Sequence, residues 1–290
     1  MTVPQIMKDR MSFSFEVFPP KEGQPMEPLL STLDHLYGFN PDFVSCTYGA
    51  GGTNAGRNVE ICKAIKDSGK AIAVTHFTCI GNSKEEVKQQ LDDYLAAGID
   101  HILALRGDLP EGWEGTRGDF KYANELIKFI RAEYGDKFTI AMAGAPEKHI
   151  QANSFDEDIA HLRMKQDAGA DFIMTQLCFD IDCYMRWVDA IRDAGITIPI
   201  DVGVMPVLNK DATIRMALSM NGCSIPRELA EIISRYYNDP DGFKKAGKEY
   251  TVKQIYEYIN TGIDGLHIYA LNKHEDVSDI LNAAGIMGNR

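Results

Sequence analysis

Apolar and polar positions follow two alternating rhythms along the chain. Short β-rich apolar runs occupy Phe13–Phe18, Phe43–Thr47, Ala71–Phe77, His101–Leu105, Thr139–Ala143, Phe172–Gln176, Ile200–Val204 and Gly265–Tyr269. Between them lie stretches of helical period. Lys84–Ala97 (KEEVKQQLDDYLAA), for example, puts Val87, Leu91, Tyr94 and Leu95 on one face. Gly69, Gly98, Gly169 and Gly195 close helical stretches just before the next run, where a helix end calls for a left-handed residue. Successive runs are roughly 30 residues apart, the size of a βα unit. Alternating β and α segments predict a parallel sheet covered by helices. Eight such units predict closure into a (β/α)₈ barrel of class α/β, with residues 1–290 as a single domain. Residues 206–262 carry extra helices before the last run, and NDPDG at Asn238–Gly242 reads as a turn between helices.

Composition adds few constraints. The chain has 290 residues, 44% hydrophobic and 25% charged, which is average for a globular protein and sufficient for a large core. The net charge of −12, with no run of Lys or Arg, argues against a nucleic-acid partner. The first residues, MTVPQIMKDR, carry no apolar signal core, and no stretch has the length of a membrane span. A cytoplasmic protein without a membrane partner is expected. Cys46, Cys62, Cys79, Cys178, Cys183 and Cys223 form no CxxC pair, so reduced thiols and no metal site are expected.

The active end of such a barrel lies at the C-terminal ends of its strands, and polar residues collect there. They are Glu16, Thr47 and Tyr48, His76, Arg106 to Asp108, Glu147 to His149, Gln176, and then Tyr269, Asn272 and Lys273. Taken together they predict a site. Glu16 lies in FSFEVFPP. An unpaired carboxylate there would be desolvated and its pKa raised towards that of a general acid; the alternative is a Glu paired with a nearby Arg or Lys. In ALRGDLP, Gly107 admits close backbone approach to a ligand, Arg106 could grip a phosphate or carboxylate, and Asp108 could accept from ring N–H groups. The alternative is an Arg106–Asp108 ion pair shaping the turn. TYGAGGT at Thr47–Thr53 follows a strand, but Asn54 breaks the dinucleotide glycine pattern. No HExxH or GxSxG motif is present.

FSFEVFPP, VSCTYGA, THFTCIG, HILALRGDLP, APEKH, DAGADFIMTQLCFD and LHIYALNK follow one another from about Ser12 to Lys273. In this order they resemble bacterial methylenetetrahydrofolate reductases. The resemblance implies a barrel catalytic domain with non-covalent FAD. It also implies ping-pong hydride transfer that converts 5,10-methylenetetrahydrofolate to 5-methyltetrahydrofolate, with NADH as a possible donor. Glu16 then matches the acid that protonates N10. Asp108 matches a carboxylate beside the flavin pyrimidine, which lowers the flavin potential. Thr47, Tyr48, His76, Arg106, Gly107, His149, Asp158 and Lys165 fall to the flavin. Gln176, Met216, Tyr269 and Lys273 fall to the substrates.

Two positions depart from the family pattern. Ala145 replaces the usual aromatic before PExH, and Met216 stands near the place of an aromatic that stacks a nicotinamide. These departures raise a second reading, a folate-reducing subunit fed by an iron–sulfur protein partner. A flavin-free lyase or aldolase would need a Schiff-base Lys, for which only Lys148 and Lys273 are available. A non-catalytic folate- or flavin-binding module leaves Glu16 unexplained, because a carboxylate on an apolar strand is costly. A homo-oligomer is expected.

Overall fold

The computed structural model describes residues 1–48, 55–109 and 112–286. Gly49–Thr53 of TYGAGGT, with Asn54, and Pro110 of RGDLP lie outside the described residues. Eight parallel strands close on themselves in chain order. They are β1 (Ser12–Val17), β2 (Phe43–Cys46), β3 (Ile72–Thr78), β4 (His101–Leu105), β5 (Thr139–Gly144), β6 (Phe172–Thr175), β7 (Ile200–Val204) and β8 (Gly265–Tyr269). The helices are α1 (Val3–Asp9), α2 (Glu27–Leu36), α3 (Ala55–Ser68), α4 (Lys84–Ala96), α5 (Ala123–Tyr134), α6 (Phe155–Asp167), α7 (Ile181–Asp193), α8 (Lys210–Ile214), α9 (Arg227–Arg235), α10 (Pro240–Asn260) and α11 (His274–Ala283). A π-helical stretch, Arg215–Asn221, follows α8.

All eight predicted runs are strands. Their ends move by one residue or so: Phe18, Thr47, Ala71 and Gln176 fall outside, while Ser12, Thr78 and Gly144 join. In α4, Val87, Leu91 and Tyr94 are buried and Leu95 is partly so. Ser83 starts this helix with a capping box, its hydroxyl accepting from Glu86 N–H while the Glu86 carboxylate accepts from Ser83 N–H. Gly98 ends it at φ 74°. The predicted turn at Asn238–Gly242 is where α10 begins, with Asp239 as its N-cap.

Three apolar clusters hold the fold. The largest fills the annulus between barrel and helices, with Phe15, Phe77, Tyr94, Trp187 and Tyr258 among its fully buried side chains. A second lies under residues 205–236 and joins Leu177, Phe179, Met205, Val207, Leu229 and Phe243. The third is the barrel interior, where Phe43, Val74, Leu103, Ala141, Phe172 and Met174 come from five strands, β2 to β6, with Val3 and Met7 of α1 closing one end. Carboxylates tie adjacent strands at their starts. Asp42 accepts from Phe13 N–H, Asp171 from Ile140 N–H and Asp264 from Ile200 N–H. These bonds stabilise the bottom of the barrel, opposite the end where chemistry is expected.

Candidate active site

Strand alternation decides which side chains enter the barrel. On β1 the inward positions are Ser12, Ser14 and Glu16; on β7 they are Asp201 and Gly203; on β8 they are Gly265, His267 and Tyr269. The contacts follow this pattern. Ser14 Oγ lies 3.1 Å from Asp201 Oδ2 and 2.7 Å from His267 Nδ1. Ser12 Oγ is 3.4 Å from Asp201 Oδ1. At the strand tops, Glu16 Oε2 lies 3.2 Å from His76 Nε2 and 3.8 Å from His267 Nε2. The Tyr269 hydroxyl donates to the Thr175 carbonyl at 2.7 Å. It crosses in front of Gly203, where a Cβ would meet that hydroxyl oxygen at 2.3 Å.

Neither expectation for Glu16 holds. It is not unpaired, and its partners are two histidines rather than an Arg or Lys. Burial pushes its carboxyl up, but His267 and His76 outweigh that and hold it down to about 2. Its side chain keeps 22% of its surface open at the mouth of the barrel, so a ligand can reach it.

A second group of candidates gathers above β4, β5 and β6. The Asp158 carboxylate accepts from His149 N–H at 3.0 Å. Lys165 Nζ donates to the Ala143 carbonyl at 2.6 Å, and burial pulls its ammonium down to about 8 against the pull of Asp158. The His149 imidazole is pushed down by burial, with Asp158, Lys165, Arg106 and Asp108 all within electrostatic reach. Arg106 Nε donates to the neighbouring Gly107 carbonyl. Among the described residues Arg106 makes no ion pair with Asp108, and Asp108 is exposed. Gly107 has a local reason to be glycine: its φ is 91°, and a Cβ would meet Ile80 Cγ2 at 2.6 Å.

The remaining candidates divide. Thr47 N–H donates to the Val17 carbonyl, and the Tyr48 hydroxyl is engaged by Gln90 at 3.0 Å. The Gln176 side chain accepts from Leu177 N–H, so in this state its carbonyl serves the turn after β6. Met216 lies on the π-helical stretch and packs against the second apolar cluster. Lys273 is exposed at the start of α11, and Lys148 caps its own loop by donating to the Ala152 carbonyl. Both candidate Schiff-base lysines therefore belong to loops.

Sequence reasoning missed Asp201, His267 and Ser14, which are fully buried. The signal was present: IDVGV and LHIYA each carry a charged or titratable residue inside an apolar strand. Leu271 and Asn272, just after β8, are consecutive non-glycine residues with φ of 51° and 52°, a conformation the sequence does not signal. Asn272 holds that turn against β1 through both Phe18 N–H and the Phe18 carbonyl. Left-handed residues of this kind cluster where a ligand site is built.

Donor capacity is left over around this mouth. His76 Nε2 is buried and makes no hydrogen bond of good geometry. Among the described residues, Arg106 and Lys165 each use one donor on a carbonyl, from five and three respectively. Unused cationic donors beside the strand ends fit an anionic dinucleotide. Among the described residues no cluster of His, Cys, Asp and Glu could hold a metal ion, and no helix is long and apolar enough to cross a membrane.

The family model for methylenetetrahydrofolate reductase matches residues 2–285. The chain is 36% identical over 283 residues to methylenetetrahydrofolate reductase 1 of Schizosaccharomyces pombe, covering 97% of this chain and 47% of that protein. It is 35% identical over 280 residues to 5,10-methylenetetrahydrofolate reductase of Pectobacterium carotovorum, covering 97% of this chain and 92% of that one. The chain thus spans about half the length of the eukaryotic relatives it matches. A solved Clostridium thermocellum protein, described as binding two copies of 5-methyl-5,6,7,8-tetrahydrofolic acid, shares the fold. Its TM-score is 0.67 over 97% of this chain and 96% of that chain, at 12% identity.

Proposed function

The chain belongs to the methylenetetrahydrofolate reductase family, and from that premise we propose that it reduces 5,10-methylenetetrahydrofolate to 5-methyltetrahydrofolate with FAD bound at the mouth of the barrel. The observation that carries this reading is the Glu16 carboxylate, open to a ligand and backed by two histidines.

Bound flavin would supply the hydride. His76, Arg106, His149, Asp158 and Lys165 would hold it, with Thr47, Tyr48 and Gly107 shaping the strand-end turns. Asp108, exposed beside this group, would put negative charge near the flavin ring and disfavour extra electron density there. Gln176 and Tyr269 would line the folate side, with Lys273 further out at the start of α11.

The chain's own contribution is proton control. Glu16 gives a proton to N10 of the folate, the C–N bond of the five-membered ring breaks, and the resulting iminium accepts the hydride. Glu16 is left as a carboxylate, the form that His76 and His267 favour. Proton loss from Glu16 is therefore assisted, and the cost moves to loading the proton beforehand. Entry of an apolar ring system over Glu16 expels water and shifts that balance back towards the acid.

The reductant has two readings. NADH is one. Met216 and Ala145 offer no aromatic face for a nicotinamide, and each lost stacking contact is worth about 0.5–1.5 kcal/mol; this favours a protein partner as donor. The test is anaerobic. FAD-loaded protein, reduced chemically, should be reoxidised by methylenetetrahydrofolate with formation of the methyl product. No reoxidation, or no FAD binding at all, sinks the proposal. Fast saturable reduction by micromolar NADH removes the partner-protein reading.

A further inference from the structure

The wall of the barrel below Glu16 runs from His267 on to a buried carboxylate, Asp201, that the folate-reducing reading does not use. Asp201 is completely buried, and His267 is 1% exposed. Space has been made for them. At Gly265 a Cβ would meet Asp201 Oδ1 at 2.1 Å and Ser12 Oγ at 2.3 Å, so only glycine leaves room for that carboxylate. His267 stacks on Phe43, with ring centroids 5.7 Å apart and planes 16° from parallel, which fixes its orientation. A buried carboxylate is costly unless it is paired and used, and the rest of the barrel interior shows that apolar filling was available here.

We propose that Asp201 and His267 are a buried positioning pair that sets how readily Glu16 holds its proton. Ser14 has one hydroxyl hydrogen, and the Asp201 carboxylate 3.1 Å away is its strongest acceptor. His267 Nδ1, 2.7 Å from the same hydroxyl oxygen, is then the donor to Ser14. With Nδ1 committed, Nε2 is turned towards Ser45 Oγ at 3.4 Å and Glu16 Oε2 at 3.8 Å. The longer contact acts through charge rather than as a hydrogen bond. An anionic Asp201 favours a cationic His267, and a cationic His267 favours an ionised Glu16. An aspartate that orients and charges an imidazole from behind does the same in hydrolase triads.

The other titratable groups facing the chain leave this assignment standing. Glu16 is faced by His76 from β3, Cys46 from β2 and Tyr269 from β8. Burial drives the Cys46 and Tyr269 groups well above their usual range, so both stay neutral. Asp201 is faced by Asp42, Tyr184 and Tyr269 besides His267. Burial raises the Tyr184 hydroxyl as well, and it raises Asp201 to about 6. Asp201 therefore changes charge just below neutral pH, where it can modulate the acid above it.

The catalytic half of this inference rests on the proposed folate reduction; the proton half does not. The test is a titration of the Glu16 carboxyl carbon in ligand-free protein labelled with ¹³C at glutamate, the resonance being identified by its loss in Glu16→Gln. In the parent the Glu16 resonance should show a second, smaller inflection near pH 6, where Asp201 takes up its charge. In Asp201→Asn, which keeps the shape but not the charge, that inflection should lose amplitude while the Glu16 midpoint stays in place. The pH profile for reoxidation by methylenetetrahydrofolate should flatten over the same range, with FAD affinity unchanged. Should Asp201→Asn fail to fold, Ser14→Ala removes only the bridge and should weaken the inflection by a smaller step. An inflection of unchanged amplitude in a folded variant overturns the proposal. A weakened inflection in a protein that never reoxidises with methylenetetrahydrofolate keeps the pair and rejects the folate reading instead.

Discussion

The inside of this barrel is built in two unlike sectors. From β2 to β6 it is filled with Phe43, Val74, Leu103, Ala141, Phe172 and Met174. Phe43 and Phe172 meet edge to face across the interior, their centroids 6.3 Å apart. From β7 through β8 to β1 the same depth holds Asp201, His267, Ser12 and Ser14, with Glu16 and Tyr269 above them. The apolar sector gains stability from area removed from water, about 25 cal/mol per Å². The polar sector gives up that gain and adds desolvation. Its glycines at 203 and 265 show how closely it is packed. One sector holds the barrel closed; the other retains charge at a cost in stability, directly beneath the carboxylate proposed as the acid.

The largest effect should come from the top of the polar sector. Glu16→Gln keeps shape but cannot donate a proton as an acid, so folate-dependent reoxidation should fall about 10²–10⁴-fold. Flavin binding and the reductive half-reaction should survive. Loss of both half-reactions together would make Glu16 a structural residue and erase the distinction between the sectors.

The apolar sector should respond in stability instead. Phe172→Ala empties a fully buried site and should lower unfolding free energy by about 3–5 kcal/mol, as read by urea denaturation. The rate per folded molecule should change far less than in Glu16→Gln. A variant that keeps full stability but loses its rate would show that the apolar sector also shapes the site.

The two sectors should also part company with pH. Burial raises Asp201 from 3.8 to about 6, so the folded state binds the proton more tightly than the unfolded one. The stability this gives is complete below pH 3.8 and is lost as pH rises through about 6. Over that window the parent should lose about 3 kcal/mol relative to Asp201→Asn. Glu16 has the opposite sign. Held at about 2 against an ordinary 4.5, it stabilises above pH 4.5, and that contribution is lost as pH falls towards 2. Chemical denaturation of parent and variant between pH 4 and 7 measures the Asp201 slope, and parallel curves would mean that Asp201 is not buried as a titrating group.

Tyr269→Phe should give the smallest change. It removes one neutral hydrogen bond, to the Thr175 carbonyl, worth about 0.5–1.5 kcal/mol. A larger loss in folate affinity than in stability would place the hydroxyl on the substrate.

The fold was legible because its signals are local. Each βα unit announces itself through period, cap and terminal glycine, and Gly69, Gly98, Gly169 and Gly195 all adopt positive φ as their place before a strand requires. Which residues stand at strand tops also follows from counting, so Glu16, His76, Arg106 and Tyr269 could be named in advance. Their partners could not. Ser14 meets Asp201 and His267 from 187 and 253 positions away along the chain. Only barrel closure brings Ser14, Asp201 and His267 together, and only then does burial acquire a sign. On its own strand Glu16 looks like a desolvated carboxylate with a raised pKa; inside the closed barrel two histidines from β3 and β8 reverse that to about 2. Local sequence decides periodicity and which face a side chain takes, because those depend on neighbours in the chain. Charge state depends on every group within a few ångströms, and tertiary structure alone selects those groups.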